Sequence, residues 1–187
     1  MKQKDLAEEN LYKLHMQIEV CQKCDLYKNG CAVPGEGNAK ADIIFIGEAP
    51  GRVESETGRP FVGRAGKLLT SLIELIGLNR RDVFITSIVK HRPPKNRKPT
   101  QSEIDVCLPY LHEQIKNIKP RIIVLLGTTA LCAVLGKKIG KITDIHGRII
   151  KRDNLTYLPP GSRTEVRRNN TQTTRTGFHK IERFTPP

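Results

Sequence analysis

Tryptophan is absent from this sequence, methionine occurs twice, and aromatic residues make up only 5%. A core must therefore be built from Ile, Leu and Val, and an aromatic ring set among turn-forming residues stands out. No apolar run reaches the roughly 18–20 residues that a membrane-spanning helix needs, and the run Ile122–Leu126 suits a buried strand. The segment MKQKDLAEEN has no apolar stretch of the signal-peptide kind, so a cytoplasmic, nucleoid-associated location is expected. Five cysteines without such a signal argue against a disulfide scaffold and leave metal binding, reactive thiols or buried apolar Cys. Acidic residues are also scarce: 19 Asp and Glu face 32 Lys and Arg, a net charge of +13. Such an excess attracts polyanions, nucleic acid first among them. No basic amphipathic helix with a strong apolar face accompanies it, which weakens a membrane reading.

What is present reads as alternating strands and helices. Leu6, Leu11, Leu14 and Ile18 give a helical period over residues 3–20, and residues 21–40 read as loop. Asp42–Ile46 is a strand that ends in Gly47-Glu48-Ala49-Pro50-Gly51; after a polar loop, Ala65–Ile76 is helical. Val83–Val89 is a second strand, followed by the basic loop KHRPPKNRKP. Thr100 and Glu103 form a capping box for a helix from 101 to about 118. Arg121–Leu126 is a third strand and Thr128–Leu135 a short helix. This order predicts one α/β domain, a three-layer αβα fold with a central, mostly parallel sheet. Sites in such folds lie beyond the carboxyl ends of the strands. Residues 158–187, with six Thr, five apolar residues and a net charge of +4, show no periodicity. They are expected to lie outside the domain of residues 1–157, as a disordered basic tail or an out-of-frame product.

Four segments carry chemistry. Cys21-x-x-Cys24 can hold one metal centre, though CxxC also serves redox chemistry. Cys107 and His91 are candidate further ligands, with Cys31 a competitor and Cys132 a buried apolar residue. His91 also reads as an exposed loop residue. The GEAPG turn offers backbone N–H groups for an anion or a polar base edge, and Glu48 is its one ionisable group. Phe61, between turn formers in TGRPFVGRAG, could stack on a flat heterocycle or anchor its loop in the core. The HRPPKNRKP loop carries Lys90, Arg92, Lys95, Arg97 and Lys98 on a frame stiffened by prolines, suited to phosphates or simply solvated.

In this order, CxxC, IIFIGEAPG, TGRPFVGRAG, FITSIVKHRPPKNRKPT and IKPRIIVLLGTTA, the segments resemble the family 4 uracil-DNA glycosylases, thermophile-type enzymes with a [4Fe–4S] cluster. The resemblance implies a monomer that excises uracil from DNA in base excision repair. It implies uracil held by Gly47, Glu48, Ala49, Pro50, Gly51, Phe61 and Ser87, with Glu48 positioning water or stabilising charge. It implies DNA contacts from Arg64, Arg92, Lys95 and Arg97, and a structural cluster on Cys21, Cys24, Cys107 and His91.

Three departures qualify it. His91 stands where the family has Cys; imidazole can ligate iron, and the X-type uracil glycosylases, which crosslink to DNA, also look as if they have VKH here. The basic loop that carries their reactive His is absent, so covalent capture is not expected. Ser87 stands where the family has Asn, and a hydroxyl reads a base edge less selectively. The family's final His-Pro motif is missing. Residues 158–165, LPPGSRTE, can encode Tyr-His-Pro-Ala-Ala-Glu-Leu when shifted by one nucleotide under a permitted choice of codons. The alternative reading is a DNA-binding iron–sulfur protein of this fold that has lost excision.

Overall fold

The structure, a computed structural model, describes residues 6–136, 149–152 and 155–159. Alternate residues of each buried strand face opposite sides of a sheet, and both sides are covered here. Ile44 and Ile46 of β2 (Ile43–Gly47) pack with Phe84 of β3 (Phe84–Ser87) and Ile123 and Leu125 of β4 (Ile122–Leu125). That face is covered by Leu11 of α1 (Leu6–Glu19), Ile104 and Leu111 of α4 (Gln101–Ile118) and Leu131 of α5 (Thr128–Leu135). Ile43, Phe45, Ile85, Ile122 and Val124 face the other way, onto Leu69 and Ile73 of α3 (Arg64–Leu75). Three layers result, as the alternation of elements predicts.

The sheet has six strands in the order β1-β3-β2-β4-β6-β5, where β1 is Glu36–Gly37, β5 Ile150–Arg152 and β6 Leu155–Leu158. The four inner strands run parallel and each edge strand pairs antiparallel, so the sheet is mostly parallel. The chain leaves β2 for β3 on one side and returns to β4 on the other. This places a crevice at the carboxyl ends of β2 and β4.

Two stretches expected to be loop carry structure. A helix, α2 (Arg52–Thr57), fills the polar stretch after β2 and stops at Gly58, whose φ of 69° is left-handed. Its sequence, RVESET, has no apolar period to announce it. The cysteine-bearing segment contains a 3₁₀ turn, Asp25–Asn29, and β1. Leu158 is buried and pairs with Val124, so the sheet takes in the first residue of the expected tail. The rest of that tail beyond Pro159, with its out-of-frame reading, lies outside the described residues.

Candidate active site

The GEAPG turn leaves the carboxyl end of β2, and Gly47 there pairs in register with Ser87 of β3. Partners in register present their side chains to the same face. A Cβ on Gly47 would overlap the Phe61 ring, so the glycine lets that ring lie directly against the strand end. Ser87 therefore emerges on the face that carries Phe61. Phe61, half-buried, packs at the rim of the α3-side core, the anchoring role of the two the sequence allowed it.

Phe61 has a φ of 50°, a left-handed conformation that bulky residues adopt only when their surroundings hold them. Three contacts do so. Arg80 donates from Nη1 to the Phe61 carbonyl at 3.0 Å and from Nη2 to the Pro60 carbonyl. Glu54 accepts from the N–H groups of Val62 (3.0 Å) and Gly63 (2.8 Å) through Oε1, and from Gly51 (3.1 Å) through Oε2. Gly66 in the first turn of α3 lies so close that a Cβ there would overlap the Phe61 carbonyl. Arg80 is fixed in turn by Glu36 at 3.2 Å, which also takes two bonds from Arg59. Arg59, then Arg80, hold the Glu36 carboxyl below its usual range against the opposing effect of burial. Sequence reasoning missed Glu54 and Arg80, because side-chain bonds to a distant backbone leave no periodic trace.

Glu48, half-buried, reaches across the crevice to the start of α5, where the Thr129 hydroxyl donates to its Oε2. No other side-chain bond to its carboxylate occurs among the described residues. The sequence placed Thr129 at the start of the short helix after the third strand but gave it no role.

The basic loop divides. Lys90 is only 1% exposed, which corrects the expectation that it belongs to a phosphate-facing surface. Its Nζ donates at 2.8 Å to Thr86 Oγ1, the Ser87 carbonyl and Gln114 Oε1, and burial draws its pKa down to about 7. Gln114 and Thr86 pass the network on to the Pro34 carbonyl at 2.7 and 2.8 Å. Arg97 makes a two-pronged bond to Glu103 at 2.6 and 2.8 Å. Arg97 above all, with the Thr100 N–H, holds the Glu103 carboxyl at about 2. Arg92 is half-buried and bonds Asn96, whereas Lys95, Lys98 and, at the start of α3, Arg64 are exposed.

Cys107, on α4, is 2% exposed; burial pushes its thiol up, opposed by the Lys90 backbone N–H and assisted by nearby Cys24 and Cys21. Cys21 packs with Leu14, Ile18, Ala32 and Tyr110, and the Tyr110 hydroxyl is pushed up by burial and by its bond with Cys21. His91 is 4% exposed, not an open loop residue, and burial alone lowers its pKa. It directly follows Lys90, the residue bonded to Cys107. Cys31 is exposed and Cys132 half-buried, so Cys132 is less enclosed than expected. Among the described residues no group of three or more His, Cys, Asp or Glu can hold a single metal ion. One ion draws thiolates to about 2.3 Å. A four-iron cube takes one ligand per corner and spaces them more widely; the Cys107 thiol, which feels both Cys21 and Cys24, and the buried His91 imidazole next in sequence to Lys90 fit that larger group in donor chemistry.

The model of the uracil DNA glycosylase superfamily matches residues 34–181, a span that begins after Cys24 and includes the turn, the Phe61 loop and the basic loop. The type-4 uracil-DNA glycosylase of Pyrobaculum aerophilum is 49% identical over 143 residues, covering 74% of this chain and 73% of that protein. That of Saccharolobus solfataricus is 52% identical over 145 residues, covering 75% and 67%. That of Thermotoga maritima is 42% identical over 162 residues, covering 81% and 84%. With these matches over most of its length and a three-layer αβα fold, the chain belongs to the uracil DNA glycosylase superfamily.

Proposed function

We propose that this chain hydrolyses the N-glycosidic bond of uracil in DNA, as a monomer acting in the cytoplasm. The observation that carries the reading is the Phe61 ring held against Gly47, one residue before Glu48, at the carboxyl end of β2 in a chain with few aromatics. A base turned out of the duplex needs a flat surface to replace its lost stacking, and Phe61 against Gly47 supplies one. Ser87 stands beside that ring, and its hydroxyl can donate to or accept from the base edge. Pro50 has no N–H, the Gly51 N–H is taken by Glu54 and Gly47 lies within the β2–β3 ladder, which leaves Glu48 and Ala49 as the members of the turn to offer N–H groups to the base.

Cleavage leaves positive charge on the sugar and negative charge on the base. Backbone N–H groups at the turn favour the second, and the Glu48 carboxylate favours the first. The oxygen of Glu48 not bonded to Thr129 is available to hold the attacking water. Arg64, Arg92 and Lys95 contact DNA phosphates, with Arg97 contributing from its fixed place on Glu103.

Cys21, Cys24, Cys107 and His91 would hold a [4Fe–4S] cluster. When bound, it supplies structural ligation that fastens the end of α1 and the start of the basic loop to α4. No helix among the described residues is long and apolar enough to cross a membrane.

Release of uracil from a single-uracil oligonucleotide, read by alkaline strand scission, tests the excision reading. The chain is expected to release it, and Glu48→Ala to be at least about 100-fold slower with unchanged oligonucleotide affinity. Oligonucleotide binding without any base release would overturn it in favour of a binding protein.

A further inference from the structure

We propose that Thr129 is a positioning residue for Glu48, an inference that rests on the excision reading. A glutamate side chain has three rotatable bonds, and a carboxylate on an open turn samples several rotamers. Here the turn carries Glu48 away from β2, and β4 runs beside β2 with the Leu126 N–H bonded to the Ile46 carbonyl at 2.8 Å. That pairing brings the start of α5 alongside the turn. Gly127, with a φ of 103°, reverses the chain between β4 and the helix. Thr129 follows in the first turn of α5, half-buried, and its Oγ1 donates to Glu48 Oε2.

The consequences follow from geometry. One carboxylate oxygen is fixed by a donor that is itself anchored on a rigid element, because α5 is pinned to the core through Ala130, Leu131 and Leu135. The other oxygen then points in a defined direction and is free to hold water. A hydroxyl bonded to a carboxylate is among the stronger neutral–charged bonds. Thr129 also lies where the positive end of the α5 dipole favours a negative group. The β-branched side chain restricts χ1, so the hydroxyl is itself preorganised. Thr129 does not touch substrate; it acts through Glu48.

A double-mutant cycle on single-turnover excision tests this. Thr129→Val keeps the shape and removes the donor. It is expected to slow base release about tenfold with oligonucleotide affinity unchanged, and Thr129→Ser, which restores the hydroxyl, to recover most of the rate. In a Glu48→Ala background, adding Thr129→Val is expected to change nothing further. An unaffected Thr129→Val rate, or an equal loss with and without Glu48, would overturn the inference while leaving excision standing. If the unaltered chain releases no uracil, the excision reading fails, and crystal structures of the chain and of Thr129→Val decide the inference separately. A Glu48 carboxylate displaced in the variant supports it; an unmoved one overturns it.

Discussion

A carboxylate that accepts three backbone N–H groups is a fixed point in any loop, and Glu54 is one. It ties the GEAPG turn to the Phe61 loop, so the two surfaces that would enclose a base are set by one side chain. Glu54→Gln replaces one acceptor oxygen with an N–H₂ group, which must face an N–H it cannot bond. Unmade buried bonds of this kind cost about 1–3 kcal/mol. The variant is expected to lose that much stability in urea titrations and to raise KM for uracil excision about tenfold, with a smaller loss in kcat. Phe61 stood out in the sequence because a ring between glycines and prolines must either anchor its loop or face a ligand, and its packing against the α3-side core shows the first. Glu54 and Arg80 were not, since each acts on carbonyls or N–H groups that only the folded chain brings near.

Helix α4 shows what a local signal can specify. Its span matches the one expected from Thr100 and Glu103, because the box satisfies N–H groups that no other part of the helix can reach. The same Glu103 also grips Arg97, joining the basic loop to the helix. A carboxyl held at about 2 in the fold, against about 4.5 when free, contributes stability that is complete above pH 4.5 and lost as pH falls towards 2. The gap in urea midpoint between the chain and Glu103→Gln is therefore expected to be constant above about pH 5 and to narrow below it. An unchanging gap across that range would detach the ion pair from stability. By contrast, α2 was read as loop: six residues with no apolar stripe depend on the Glu54 bonds and the left-handed Gly58. The edge strands were equally hidden, since β1 has only two residues and is defined by what β3 offers it.

At the scale of the whole molecule, the protein's own bonds fasten one of the cysteine-bearing segments and leave the other to the proposed cluster. Residues 31–34 are fastened by protein groups alone: the Cys31 N–H to the Ser55 carbonyl (2.9 Å), the Val33 N–H to the Lys90 carbonyl (2.7 Å) and Pro34 to Gln114 and Thr86. The Lys90 network thus joins this segment to β3 and α4 without any metal. Cys21 and Cys24 lie ahead of that anchorage, at the end of α1. The layers and the mostly parallel sheet were legible because alternating strands and helices leave few other ways to bury both faces. The Lys90 network was not, because a lysine in a run of basic residues reads as surface. On the proposed cluster reading, its loss is expected to loosen residues 21–24 without unfolding the sheet. Anaerobically purified chain is expected to carry about four irons, and His91→Cys to keep them, because a thiolate is the more usual ligand. His91→Ala is expected to lose iron and absorbance near 400 nm while retaining its far-ultraviolet circular dichroism. Full iron in His91→Ala would show that the imidazole is not a ligand. Loss of the whole fold would show that the protein bonds around Pro34 are not sufficient by themselves.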